Sequence, residues 1–247
     1  MTTAPPPSFG TLGGLPVIPI DDFSDWGIVA CTTTRQAGTF GWNADEPIVA
    51  VMPRWGAIVN DAASRGVAAF ATAHQVHGAA IHEHGPGWRG WLRAPEGDGH
   101  LWVRRGHGAA VTVADCTPVF LAHPSGAAAV LHSGWRSTAA GITERAIARF
   151  VSMGLSPADC RLHLGPAICG TCYEVGPEVH RQLTGQVVDG PRPIDVREEI
   201  ARRAARLGVR DLRIAAWCTR CHNDHLYSHR AGDAGRQIGV LLSLPMR

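Results

Sequence analysis

The chain has 247 residues, 45% of them hydrophobic and 18% charged, which suits one large or two small folded domains. All 23 basic residues are arginines, so mechanisms that need a lysine (P-loop phosphate binding, pyridoxal-phosphate chemistry, the protein-kinase reaction) are excluded. Against 21 acidic residues the formal net charge is +2, too balanced to argue for a nucleic-acid or membrane-surface partner.

Residues 1–14 are rich in Pro and Gly and read as a flexible start, leaving 15–247 as a single domain. The start has neither the basic nor the apolar region of a secretory signal, and no apolar run approaches the length of a membrane span. Seven cysteines form no disulfide framework in a chain of this length, and the setting reads as reducing and cytoplasmic. Val67 to Ala73 reads as a buried strand leading into His74-Gln75-Val76-His77-Gly78. Ala109 to Val113, Val119 to Ala122 and Ala127 to Leu131 are strand-like, the last two joined through a Pro124-Ser125-Gly126 turn. A helix capped by Ser137 is expected to run to Met153 and stop at Gly154, with Ile142, Ala146, Phe150 and Val151 on one face. Pro177 marks a further helix start. Asp195 and Glu198 form a capping-box-like start for a helix that reaches Leu207 and stops at Gly208. Leu212 to Trp217 and Gln237 to Leu244 return to strand. The fold class is α+β, a single layered domain of mixed β-sheets flanked by helices.

The residues that promise chemistry are His77, Cys116 and His132. A hairpin turning near Pro124 that paired 116 with 132 would bring both side chains out on one face, about 5 Å apart at Cβ. Two imidazoles and a thiolate suit zinc, and three protein ligands leave a fourth position open for water or substrate. The competing reading is a small core cysteine with histidines hydrogen-bonded nearby. Ser133-Gly134-Trp135-Arg136 follows at once, and an arginine beside a helix N-terminus suits an anion such as phosphate, though it also describes an ordinary helix start. Asp98 and Asp115 are acid/base or supporting candidates. Cys218-Thr219-Arg220-Cys221-His222 matches the c-type haem attachment motif, which needs export. With His225 and His229 the same segment offers a second zinc site, and reduced structural cysteines are the plainer reading. His82 and His84 fall in an expected solvated loop before Gly85-Pro86-Gly87.

Taken together, TTRQAG around Arg35, HQVHG around His77, GDG around Asp98, VTVADCTPVFLAHP, AVLHSGWRSTAAGI, GPAICGTCYEVG and CTRC with LYSHRAGDAGRQIGV resemble one family. It is that of the YfiH-like, laccase-domain proteins, also labelled multicopper polyphenol oxidases, and the resemblance covers residues 28–245. It implies zinc on His77, Cys116 and His132. It also implies a purine nucleoside phosphorylase with adenosine deaminase and methylthioadenosine phosphorylase activity, acting on small purine nucleosides and phosphate. On that reading Cys116, His132, Arg35 and Asp98 serve catalysis, and Arg136, Arg35 and Tyr173 bind phosphate and substrate. The chain departs from the family in reading HSGWRS for HAGWRG and Thr171-Cys172 for a paired cysteine. Its segment after Arg35 is shortened to Gly41-Trp42-Asn43-Ala44. Two other activities fit the same residues. One is a cysteine or zinc amidohydrolase editing peptidoglycan precursors. The other is a copper-dependent, laccase-like polyphenol oxidase, with copper on the same ligands.

Overall fold

The structure is a computed structural model and describes residues 9–42 and 46–246. Strands β1 (Gly10–Leu12), β2 (Leu15–Ile20) and β3 (Ile28–Thr33) precede helix α1 (Ile48–Ser64). Seven strands follow with no helix between them: β4 (Ala69–His74), β5 (Ile81–His84), β6 (Gly90–Glu96), β7 (Gly99–Trp102), β8 (His107–Val113), β9 (Thr117–Ala122) and β10 (Ala128–Ser133). Then come α2 (Trp135–Ala139), α3 (Ile142–Ser152), β11 (Arg161–Leu164), β12 (Glu174–Val175), α4 (Pro177–Thr184), β13 (Arg192–Pro193), α5 (Val196–Arg206), β14 (Asp211–Ile214) and β15 (Gln237–Ser243).

The strands form a seven-stranded sheet, β1-β2-β3-β15-β8-β4-β6, and a six-stranded one, β14-β11-β9-β10-β7-β5, with β12 and β13 as a small separate pair. The period of two along each strand sorts the side chains into layers. On β9 and β10, Val119, Leu121, Ala129 and Leu131 pack outward with α3 and α5 residues such as Phe150 and Ile200. The alternate residues Phe120, Ala122, Ala128 and Val130 face the other sheet and meet Ala71, Val111 and Leu241. On the far side of the seven-stranded sheet Trp55, Ile58 and Ala62 of α1 cover Phe70 and Val240. Strands buried on both faces read as continuous apolar runs, as β9 and β10 do.

Several sequence expectations are met with shifts. Of the supposedly flexible start, residues 1–8 lie outside the described residues, while Gly10–Leu12 pairs with β2 as a strand. The helix expected from Ser137 is two helices. Gly134 rather than Ser137 stands at the N-cap of α2, and Gly141, at φ +77°, divides α2 from α3. The burial of Ile142, Ala146 and Phe150 is as expected, but Val151 points outward, 51% exposed. Asp195 caps α5 through the Arg197 amide, 2.9 Å from Oδ1, and Pro177 opens α4. The terminal strand at 237 is present, whereas the one expected from Leu212 to Trp217 ends at Ile214.

The architecture gathers the site at one end of the two sheets. The chain crosses from the seven-stranded to the six-stranded sheet after β4, after β6 and after β8, and all three crossings leave the same end. Residues 75–80, Gly97-Asp98 and Ala114-Asp115-Cys116 form these crossings.

Candidate active site

His77, Asp98 and Cys116 lie one on each crossing, and His132 comes up beside them on β10. The potential ligand atoms of His77, Cys116 and His132 lie within 4.8 Å of one another. The two imidazole rings meet edge to face, 4.8 Å apart. The β9–β10 register pairs Thr117 with Ser133 and Pro118 with His132, so Cys116 falls opposite Gly134 and not opposite His132 as expected. The offset is two residues, and because the side-chain period is also two, the shared face survives. Gly134 has to be a glycine for reasons of space: a Cβ there would lie 2.7 Å from the Cys116 Sγ.

Two of these residues hold backbone conformations that L-residues rarely adopt: His77 has φ +59° and Asp115 has φ +79°. Asp98 fixes the first. Its carboxylate, fully buried, accepts the backbone N–H groups of Val76, His77 and Gly78 at 3.2, 2.9 and 2.7 Å. It also accepts His132 Nδ1–H at 2.8 Å. Asp115 is held by Thr219 Oγ1–H at 2.5 Å and by the Arg230 amide at 2.6 Å. Asp98 thus lies under the site, bonded to both histidine segments, and is not among the residues on the cavity wall.

The electrostatics pair Cys116 with His132. Burial pushes the Cys116 thiol up, but the charge of His132 and hydrogen bonds from His132 and His77 outweigh it and bring the pKa to about 6. Burial depresses His132, while the Cys116 charge and the Asp98 hydrogen bond raise it to about 9. Each group thereby favours the other's charged form, Cys116 the imidazolium and His132 the thiolate. With Asp98 taking Nδ1–H, Nε2 of His132 is the nitrogen left for a ligand, and a carboxylate behind the imidazole is the arrangement metal-binding histidines use. Two imidazoles and a thiolate with depressed pKa fit zinc or copper.

Above the three residues opens a cavity of about 620 Å³, the size of a small-ligand site. Three aromatic rings on its wall each carry a guanidinium: Arg93 over Trp42 at 5.3 Å, Arg136 over Trp135 at 4.4 Å and Arg230 over Tyr173 at 5.0 Å. Arg236, just before β15, completes a cationic rim. Arg136 and Tyr173, both sequence candidates, lie on the cavity wall. Arg35 does not: its guanidinium bonds Asp233 at 2.5 Å, stacks on Tyr227 and lies off the cavity wall, so its expected role as an anion contact has no support in the geometry. Trp42, Arg93, Arg230 and Arg236 went unassigned in the sequence. Only the SHRAGDAGR motif marked two of them, because Trp42, Arg93 and the 230–236 segment are far apart in sequence and share no spacing.

His82 and His84 are not in a loop. They belong to β5, His84 is 8% exposed, and its Nε2 lies 2.9 Å from Nδ1 of His100. Cys218 and Cys221 lie not with His225 and His229 but within 4.8 Å of Cys169 and Cys172. Among the described residues no helix is long and apolar enough to cross a membrane.

The family model described as multi-copper polyphenol oxidoreductase laccase matches residues 44–243, and the chain belongs to this family. Among curated relatives, "Purine nucleoside phosphorylase SCO2081" of Streptomyces coelicolor is 33% identical over 230 residues, 89% of this chain and 93% of its own length. "Purine nucleoside phosphorylase ORF3" of Streptomyces griseus is 34% identical, covering 68% of this chain and 72% of its own. The fold is that of hypothetical protein YfiH from Bacillus licheniformis, with TM-score 0.75 at 21% identity over 94% of this chain and 96% of that one. YlmD from Geobacillus stearothermophilus gives TM-score 0.76 at 23% identity over 89% and 93%.

Proposed function

We propose that this chain is a purine nucleoside phosphorylase that holds zinc on His77, Cys116 and His132, and that also deaminates adenosine and cleaves methylthioadenosine. The observation that carries the phosphate half of this reading is how the cavity's arginines are held. Among the described residues Arg93, Arg136 and Arg230 make no ion pair; each stacks on an aromatic ring, and Arg230 also donates to the Glu174 carbonyl at 3.5 Å. A ring fixes a guanidinium without neutralising it, so its charge and its paired N–H donors stay free for an anion. The names of the relatives support the same substrate class.

In phosphorolysis a phosphate oxygen bonds C1′ of the ribose as the C1′–N9 bond breaks, and the N9 electron pair leaves with the purine, which takes a proton. Arg136 and Arg230 bind and orient the phosphate. Trp135 and Tyr173 offer flat apolar walls to the base. Asp98 holds the His132 imidazole so that Nε2 stays turned to the site. Zinc, when bound, supplies a Lewis acid and lowers the pKa of a water in its open position.

The test is chromatography of free base released from inosine, adenosine and methylthioadenosine, with and without inorganic phosphate. Base release that requires phosphate, and a KM for phosphate raised about tenfold or more in Arg136→Ala, are the expected results. Deamination would appear as ammonia released from adenosine without phosphate. No phosphate-dependent base from any of the three nucleosides would overturn the reading.

One observation favours a second reading. The thiolate–imidazolium pair that Cys116 and His132 favour is also what a thiol amidohydrolase uses, for instance on peptidoglycan precursors. A Cys116→Ser protein that keeps its metal but loses amide hydrolysis would support that reading over the metal-centred one.

A further inference from the structure

Two Cys-x-x-Cys turns meet on the wall beside the cavity. Cys169-Gly170-Thr171-Cys172 follows β11, and Cys218-Thr219-Arg220-Cys221 follows β14. Strands β11 and β14 are parallel neighbours, so both turns leave the same end of the sheet, and a bridge between Ala167 and Cys218 keeps them in register. All four cysteines are free thiols, their sulfurs all lie within 4.8 Å of one another, and Cys172 and Cys221 are 3.4 Å apart. Zn–S bonds of about 2.3 Å at a tetrahedral centre place the sulfurs about 3.8 Å apart, which small side-chain rotations would reach here.

The hydrogen bonds around Cys218 and Cys169 favour thiolates at those two positions. The backbone N–H groups of Cys169 and Cys221 point at the Cys218 sulfur, at 3.3 and 3.4 Å. Amides aimed at a sulfur stabilise its anion, and two of them on one cysteine are more than a buried thiol needs. Thr171 Oγ1 lies 3.1 Å from the Cys169 sulfur. Arg220 donates to the Cys172 carbonyl, and the buried Arg197 stands close enough to Cys169 and Cys218 to feel their charge. Arg197 is itself paired with Asp195 at 2.7 Å, so the sulfur cluster is bordered there by a neutral pair and not by a free cation.

The second turn also opens a long irregular connection. Residues 215–236, between β14 and β15, contain no helix or strand beyond a single short 3-10 turn. Hydrogen bonds such as Thr219 to Asp115 and Arg35 to Asp233 hold it, and a metal centre would add a tie at its start.

We propose that Cys169, Cys172, Cys218 and Cys221 form a second, closed metal centre that takes one zinc ion and has a structural role. Four protein ligands leave no open position for substrate. Binding exchanges thiol protons for the ion and moves no electrons. The centre ties down Tyr173, which directly follows Cys172, and Thr219, whose hydroxyl holds Asp115 beside Cys116. It would therefore set the cavity wall without touching substrate.

The experiment is elemental mass spectrometry of the full chain purified without affinity tag or added metal. The Cys169→Ser/Cys172→Ser double variant is expected to hold one zinc per chain fewer than the unaltered protein, whatever the occupancy of the His77–Cys116–His132 group. Equal metal content in the two would overturn the proposal, as would a Cys172–Cys221 disulfide in the freshly purified, unreduced protein. Should the double variant fail to fold, X-ray absorption on zinc-loaded His77→Ala, altered at an exposed residue of the other group, decides the matter. A shell of four sulfurs at about 2.3 Å is expected there. A shell containing nitrogen, or no zinc retained, would overturn the proposal. Loss of nucleoside phosphorolysis bears on neither result, so the two proposals stand or fall separately.

Discussion

Asp98 shows how much of a site can hang on a residue that does not line the cavity. Its buried carboxylate accepts three backbone N–H groups around His77 and the Nδ1–H of His132, and so sets two of the three candidate ligands at once. Asp98→Ala leaves those donors and a buried imidazolium without a partner, and should cost about 3–5 kcal/mol in denaturant unfolding. Asp98→Asn keeps the shape but offers a donor where an acceptor is needed; metal affinity should fall about 10–100-fold. Undiminished affinity would show that the carboxylate does not orient His132. Cys116 carries the complementary expectation. In metal-stripped protein its alkylation, followed by peptide mass, should rise with pH and reach half its plateau near pH 6, where the His132 pair holds the thiolate. A midpoint near the ordinary thiol value would mean the pair does not form.

At the scale of elements, β5 and β7 carry a liability of their own. They run parallel with His82 opposite His100, and His84 bonds His100 in the interior. Burial, with the neighbouring histidine charges, brings His84 down to about 4 and holds His100 well below the usual range. The unfolded chain binds those protons more readily, so stability should fall as pH drops through 6.5, with the His84 share of the loss complete below about 4. His84 alone accounts for a loss of the order of 3 kcal/mol. Denaturation series across that range should show a shallower fall in His84→Gln, and equal slopes would refute the assignment.

The same strands mark where the sequence was legible. Runs such as VTVADCTPVFLAHP announce strands because both faces are buried, and the Cys116–His132 face follows from parity even though the register slips by two. Nothing local tells that IHEH is a strand, since its histidines mimic a polar loop. Helix α1 hides behind Pro53, which reads as a breaker. In place, that proline withholds a hydrogen bond only from the carbonyl of Val49, near the helix start and 77% exposed. The cationic rim was legible at Arg136, and as a motif at Arg230 and Arg236, but not at Arg93, which lies within β6 far away in sequence.

For the whole molecule the seam between the sheets matters most. Phe120 fills it, fully buried among Ala71, Val111 and Val130. Phe120→Ala should cost about 3–5 kcal/mol. Because His77 hangs from one sheet and His132 from the other, the repacking should also weaken metal binding, though Phe120 is no part of the His77–Cys116–His132 group. Calorimetric titration of zinc into stripped wild-type and variant protein would test this; unchanged affinity would mean that the sheets stay in place when the seam is hollowed.

Three loops crossing at one end make the site a vernier for the sandwich. A slip of one sheet along the other by a fraction of an ångström is read out as a change in the spacing of two rings. Sequence drift in the interior, invisible to any comparison of pocket residues, would then retune the chemistry from beneath.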